Sequence, residues 1–134
     1  MISALTIGGA LFVAVLSFHY AVLAAVVPRA RARGTIGFVC FCALLLIVHL
    51  IEVGAFAAAY EIGRSIGIGD FKKPAEADFM DIYYFSMATF TTLGLGKVMP
   101  TGHLASIAGL ESFTGFLCIS MSASAFFRWI QKEI

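Results

Sequence analysis

Residues 91–100 read TTLGLGKVMP, and this stretch decides which fold the chain can adopt. Gly94 and Gly96 stand at alternate positions, behind a pair of threonines and ahead of Pro100. Glycine adopts left-handed backbone angles easily, and without a side chain it lets two backbones approach closely. The stretch can therefore run with successive carbonyl oxygens on one side. A ring of such oxygens can replace the water shell of a cation.

The chain as a whole is too apolar for a soluble domain. Hydrophobic residues make up 60% of its 134 residues and charged residues 13%, whereas soluble domains are about 25% charged. The formal net charge of +1 argues against nucleic-acid binding, which favours a basic surface. No nucleophile–base pair and no phosphate-binding loop is visible, so we expect neither an enzyme nor a cofactor.

Three segments are long enough to cross a bilayer, which takes about 20 residues. They predict a first span at 1–27, a second or outer span at 35–60 and a third or inner span at 104–129. Segment 81–97 is too short to cross and predicts a re-entrant helix, at about 82–91, followed by a loop. Asp81 or Asp78 would be its N-cap. The sequence therefore predicts an all-α membrane protein with one domain, 1–134.

The re-entrant segment also predicts the number of subunits. Irregular backbone at membrane depth is tolerated only where it is buried in protein or lines a water-filled cavity. One chain with three spans cannot enclose segment 81–97, but four copies around an axis can, and closed symmetry is usual in homo-oligomers. We therefore expect a homotetramer. The C-terminal end of the short helix would face its central cavity and favour a cation there.

The distribution of charge predicts the orientation in the membrane. Segment 28–34 carries three arginines and no acid, and short basic loops stay in the cytoplasm. Segment 61–81 carries five acids against three bases, as an outer loop allows. We expect a multi-pass protein of the bacterial inner (plasma) membrane, with its N-terminus outside and its C-terminus in the cytoplasm.

Segment 91–97, together with the apolar residues around it, resembles the pore signature T-V-G-Y-G-D of small bacterial tetrameric K⁺ channels of the two-transmembrane pore-domain type. The resemblance runs from about residue 81 to residue 127. It implies a cation pore with K⁺ as the permeant ion, and with membrane lipid and copies of itself as partners. It also implies an ion-coordinating filter of five residues, the first four of which hold K⁺: Thr92, Leu93, Gly94, Leu95 and Gly96.

Three positions depart from that signature, namely Leu93, Leu95 and Lys97. Leu95 replaces an aromatic ring that wedges against the pore helix in the family, so the filter is expected to be softer and less selective. Lys97 replaces an aspartate at the mouth. Four lysine amines about 8 Å from an ion would repel it by about 2 kcal/mol with water-like screening. Lys97 can instead bend into solvent or pair with Asp81 or Asp78.

Three functions remain open at this point. The leading interpretation is a K⁺-channel-like cation pore with a backbone-carbonyl selectivity filter. The second keeps this architecture but has a weakly selective or non-conducting filter. The third is a structural or auxiliary membrane protein in which the glycine-containing loop is an ordinary turn. The third predicts a monomer or dimer, whereas the first two predict fourfold assembly.

Two acids, Glu52 and Glu111, interrupt the second and third spans, and an ionisable residue inside a membrane is a functional candidate by default. Each lies eight residues from the expected outer end of its span, at Tyr60 or His103. We therefore expect both at one depth behind the filter, accepting hydrogen bonds from the pore helix or the filter backbone. In the resembled family an acid early in the inner helix is followed by a glycine four residues later, which matches Glu111 and makes Gly115 a possible hinge.

His49 lies three residues before Glu52, on the same helical face. We expect a hydrogen-bonded pair between these two residues, in preference to a metal site that would also include Glu111. His19 in the first span is expected deeper towards the cytoplasm, at a different level from His49.

Overall fold

The computed structural model of the chain describes residues 1–72, 77–94 and 98–131. Its helices and strands are α1 (Ile2–Arg31), α2 (Gly34–Ser65), β1 (Phe71–Lys72), α3 (Phe79–Phe90), β2 (Met99–Pro100) and α4 (Leu104–Ile130). The helices α1, α2 and α4 are long and apolar enough to cross a membrane, and α3, with 12 residues, is not. The predicted all-α membrane fold is confirmed, with one small two-stranded ladder added to it.

The turn between α1 and α2 is tighter than the sequence suggested. α1 continues through Pro28 to Arg31, four residues beyond the predicted end of the first span, and α2 begins at Gly34. Gly37 lies against the end of α1, where a Cβ atom would come within 1.9 Å of the Ala30 carbonyl oxygen. The two helices therefore meet backbone to backbone beside the turn, and both extend further than predicted.

Helix packing places α3 against α2 and α4. α1 also packs against both α2 and α4. Apolar side chains of α2, α3 and α4 form one core cluster, including Phe56, Ile82 and Ile107. A second cluster lies around Phe41 and Trp129.

A short ladder ties the two ends of the loop region together. β1 and β2 are antiparallel, with Phe71 opposite Pro100. The Thr101 amide donates to the Asp70 backbone carbonyl at 2.7 Å, and Arg64 donates to the Asp70 carboxylate at 2.9 Å. The Phe71 amide and then Arg64 hold the pKa of Asp70 below its usual value. The segments that precede and follow the α3 region are thus held next to each other.

Candidate functional site

The helix α3 begins with a capping box. The Asp78 carboxylate accepts from the Asp81 amide at 2.9 Å, and the Asp81 carboxylate accepts from the Asp78 amide at 3.1 Å. Asp78 is therefore the N-cap, and Asp81 is the third residue of the helix. Both expected acids take part, although the helix starts at Phe79 rather than near residue 82. A helix of three turns depends on packing for its stability, and its neighbours provide that packing.

The C-terminal end of α3 is held by α4. The Ser112 hydroxyl donates to the Thr89 carbonyl at 3.0 Å. Gly115 lies directly against Phe90, where a Cβ atom would come within 1.9 Å of the Phe90 carbonyl oxygen. α4 runs unbroken through Gly115. This glycine, singled out as a possible hinge, is thus the contact at which the two helices touch backbone to backbone.

The described part of the predicted filter turns its amides towards α3. The Thr92 amide donates to the Thr89 carbonyl at 3.0 Å. The Leu93 and Gly94 amides both donate to the Ala88 carbonyl, at 2.9 and 3.1 Å. These bonds hold three consecutive peptide N–H groups against the end of the helix.

The carbonyl groups of these same peptides point the other way. In a planar trans peptide the carbonyl of one residue is antiparallel to the amide of the next, and no described peptide is cis. The oxygens of Thr91, Thr92 and Leu93 are therefore directed away from α3, in a segment that is exposed in the single chain. Thr92 has a φ angle of 58° and Gly94 one of 66°, so left-handed residues alternate along the segment. The remaining predicted filter residues, Leu95 and Gly96, lie outside the described residues, as does Lys97 at the predicted mouth.

Glu111 lies behind α3 and joins three helices. Its carboxylate accepts hydrogen bonds from the Tyr60 hydroxyl of α2 and from the Ser86 hydroxyl of α3. Ser86 also lies 2.9 Å from the Val53 carbonyl oxygen. All three side chains of this cluster are fully buried. Glu111 is therefore at the level of Tyr60.

The expectation that Glu52 shares the depth of Glu111 is wrong. Glu52 lies eight residues before Tyr60, about 12 Å along α2 at helical rise, and its carboxylate bonds to His19 of α1 at 2.8 Å. The prediction failed because α2 continues five residues beyond Tyr60, to Ser65. Tyr60, taken as the end of the span, is thus inside it and level with Glu111.

The expected pair of His49 with Glu52 is also absent. The His49 Nδ1–H group donates to the Leu45 carbonyl at 2.7 Å, within its own helix. Its ring instead lies edge-on to the ring of His19, with centroids 5.1 Å apart, and edge-on to Phe90 at the end of α3, at 6.1 Å.

His19 therefore does share the level of His49, contrary to the prediction. Side chains on a helix lean towards its N-terminus. α1 and α2 are joined by a tight turn, so the side chain of His19 leans away from that turn and that of Glu52 leans towards it. The two side chains meet although their backbone positions are offset.

Several polar residues of these clusters were missed in the sequence, chiefly Tyr60, Ser86, Ser112 and Ser122. Ser122 lies 3.1 Å, through its hydroxyl oxygen, from His19 Nε2. The sequence did indicate that such residues would have partners, because a buried hydroxyl in a short apolar segment such as α3 must make a hydrogen bond. The identity of that partner depends on helix packing, which single-residue reasoning does not supply.

Comparison with known proteins places the chain among channels. Residues 45–132 match a family described as ion channel. The chain is also 33% identical over 92 residues to the inward rectifier potassium channel Kirbac3.1 of Paramagnetospirillum magnetotacticum. That alignment covers 67% of this chain and 30% of the relative, so the chain spans less than a third of the relative's length.

The family match begins in α2 and continues through α3 and α4, whereas α1 precedes it. The resemblance seen in TTLGLG is thereby confirmed, because the matched region contains this motif. The match covers more than half of the chain. The chain belongs to the ion-channel family, which is a family of channels rather than of enzymes.

Proposed function

We propose that four copies of the chain form a K⁺-conducting pore, with the carbonyl oxygens that begin at Thr92 lining the path of the ion. The relative from Paramagnetospirillum magnetotacticum is a potassium channel by name, and its similarity to this chain supports K⁺ as the permeant ion. The filter would extend from Thr92 through Leu93, Gly94 and Leu95 to Gly96.

The direction of the carbonyls is the observation that carries this proposal. The amides of Thr92, Leu93 and Gly94 are bonded to the end of α3. The oxygens of Thr92 and Leu93, the first two of the proposed filter, point away from the helix and are therefore free to face a common axis, and the Thr91 oxygen before them points the same way. An ion that sheds its water shell needs such oxygens at close range.

The exposure of this segment in one chain supports the proposed assembly of several copies. Residues 91–94 are exposed, yet irregular backbone at membrane depth must be covered by protein or line water. Large apolar side chains of α4, including Phe113 and Phe116, are also exposed. Neighbouring copies would cover both, with lipid around the outside.

The orientation predicted from charge fits this arrangement. Arg29 and Arg31 in the last turn of α1, and Arg33 in the turn that follows, would lie in the cytoplasm of a bacterium. The β1–β2 ladder and the capping box of α3 would then face outside, with the C-terminus inside. The pore loop would enter from the outer side of the plasma membrane.

A glycine substitution tests the ion path. Gly94 has a φ angle of 66°, and a Cβ atom there would meet nothing within 4 Å, so alanine is strained by its backbone conformation alone. Left-handed angles cost a side-chain-bearing residue about 1–2 kcal/mol. We expect Gly94→Ala to lose K⁺-over-Na⁺ selectivity in liposome flux measurements while the helices remain folded.

The matched control is Gly9→Ala in α1, where a Cβ atom also meets nothing within 4 Å and the backbone is helical. This variant should keep the flux of the parent. Unchanged K⁺ selectivity in Gly94→Ala would place the ion path elsewhere. A parent chain that passes K⁺ and Na⁺ alike would favour the weakly selective pore that Leu95 suggests, and a parent with no flux would favour a non-conducting filter.

A further inference from the structure

A second polar cluster lies in the interior of the helix bundle, apart from the predicted filter. It consists of His19 of α1, Glu52 of α2 and Cys118 of α4, which we call the three-helix cluster. One ligand atom from each residue lies within 4.8 Å of the other two. The side chains are 0%, 1% and 0% exposed, respectively. Three residue types that bind metal ions thus converge from three different helices.

The cluster contains a carboxylate oxygen with no partner. His19 Nδ1 lies 2.8 Å from Glu52 Oε1. Glu52 Oε2 is buried and has no hydrogen-bond partner among the described residues. A carboxylate in the interior of a membrane protein is costly unless it is paired or binds a metal. This oxygen is therefore available to bind a cation within the cluster.

The donor atoms indicate what kind of ion fits. An imidazole nitrogen, a carboxylate oxygen and a thiolate sulfur are the ligands of Zn²⁺, and thiolate disfavours the hard cations Mg²⁺ and Ca²⁺. Tetrahedral zinc bonds of about 2.0–2.3 Å set ligand atoms about 3.4–3.8 Å apart. The ligand atoms now lie within 4.8 Å of one another, so the most distant ones must approach by about 1 Å to reach this geometry. His19 Nδ1 and Glu52 Oε1, now 2.8 Å apart in a hydrogen bond, must separate by about half an ångström when both bind the ion.

Charge balance also favours a divalent ion. Glu52 and a deprotonated Cys118 supply two negative charges, and neutral His19 supplies none. A divalent cation makes the site neutral, as the interior of a bilayer requires. Binding releases the thiol proton of Cys118, since only the thiolate is a metal ligand.

Ser122 is placed to orient the histidine. Its hydroxyl oxygen lies 3.1 Å from His19 Nε2. When Nδ1 binds a metal, the ring proton is on Nε2 and is donated to Ser122. Metal-binding histidines almost always make such a second hydrogen bond, and its loss typically lowers metal affinity 10–100-fold.

We propose that the three-helix cluster is a site for a zinc-class divalent transition metal, bound by His19 Nδ1, the Glu52 carboxylate and the Cys118 thiolate. His19 lies outside the family match, which begins at residue 45, whereas Glu52 and Cys118 lie inside it. The ion would therefore fasten the additional helix α1 to the channel-forming helices. The site does not depend on whether the pore conducts.

Cobalt provides a spectroscopic test, because Co²⁺ bound to thiolate absorbs in the near ultraviolet and Zn²⁺ is silent. The full chain is produced in medium containing Co²⁺, so that the ion is present while the helices assemble, and is purified without chelator. We expect one Co²⁺ per chain by elemental analysis, together with the thiolate charge-transfer band. Cys118→Ser should remove the band, and His19→Gln should release the metal.

The controls are Cys40→Ser, on the exposed side of α2, and His103→Gln, which precedes α4. Both should bind Co²⁺ like the parent. Ser122→Ala should keep the band but lose affinity 10–100-fold in competition with a chelator. A helical parent, checked by circular dichroism, that carries no Co²⁺ would overturn the proposal. So would a charge-transfer band that persists in Cys118→Ser, or one that disappears in Cys40→Ser.

Discussion

At the residue scale, Glu111 and its two hydroxyl partners form a hydrogen-bond network with a shortage of hydrogens. Ser86 has one hydroxyl hydrogen and two acceptors within reach, the Glu111 carboxylate and the Val53 carbonyl. Tyr60 already donates its only hydrogen to Glu111. A hydrogen on the side chain at position 111 would complete the network. It would be donated to Ser86, which would then donate to Val53.

Because the network lacks a hydrogen, we expect a glutamine side chain to be tolerated at position 111. Glu111→Gln supplies the missing hydrogen and keeps an oxygen for Tyr60, so we expect a free energy of unfolding within about 1 kcal/mol of the parent. Glu111→Ala leaves the buried Tyr60 hydroxyl without a partner and should cost about 1–3 kcal/mol, with a further cost for the cavity. Thermal unfolding in detergent measures both.

Glu61→Gln on α2 is the control. It removes a half-exposed charge whose ion pair with Arg64 is near the surface, and such pairs contribute little to the free energy of unfolding. Equal destabilisation by Glu111→Gln and Glu111→Ala would mean that an ionised carboxylate holds the network together.

The site was predictable from the sequence to the extent that it depends on local chemistry. The alternating glycines of TTLGLG and the acid Glu111 both stand out in one dimension. The partners of the two buried acids could not be recognised in the sequence, because Tyr60 and His19 come from other helices than the acids they bind. The pairing of His49 with Glu52 failed for the same reason. Spacing along one helix identified neighbours, but the direction of each side chain between helices decided the contacts.

At the scale of elements, the position of α3 depends on how closely α4 approaches it. Gly115 leaves no room for a side chain beside Phe90, and Ser112 donates to the carbonyl of the preceding residue, Thr89. The amides of residues 92–94 bond to that helix end in turn. A displacement of α3 from α4 is therefore transmitted directly to the carbonyls of the proposed filter.

We expect Gly115→Ala to disrupt this contact. Its Cβ atom would lie 1.9 Å from a backbone oxygen, so the helices must separate, and such overpacking costs about 1–3 kcal/mol or more. Thermal stability should fall, and K⁺ flux in liposomes should fall with it.

Gly109→Ala is the comparison, because it is on the same helix and its Cβ atom meets nothing within 4 Å of the chain. If Gly115→Ala matched Gly109→Ala in both measurements, the close approach of α3 and α4 would not control the filter.

The helices themselves were predicted well because their signals are long. Spans of about 20 apolar residues are hard to mistake, and the 12 residues of α3 are too few to cross. Their ends were less predictable. α1 continues past Pro28 to Arg31. Gly37 allows α2 to pack directly against this last turn of α1, a tertiary contact that no local propensity indicates.

At the scale of the whole molecule, the single chain exposes surfaces that the proposed neighbouring copies would cover. One side of α4 exposes large apolar residues, and the carbonyls beyond α3 face outward with no described partner. We expect native mass measurement in mild detergent to give four times the 14.3 kDa of one chain. Gly9→Ala should assemble in the same way, since α1 is open to its surroundings at that position. A stable monomer or dimer would contradict the pore and favour an auxiliary role.

The hydrogen bond between His19 and Ser122 joins residues 103 positions apart, and this separation sets an order of events during synthesis. Chains emerge from the N-terminus at about 5–20 residues per second. About 5–20 seconds therefore pass between the synthesis of His19 in α1 and that of Ser122 in α4. Until then the His19 ring lacks its partner on α4. The first helix to be made is thus among the last to be fully bonded, and its completed contacts mark a chain in which every later helix has been inserted.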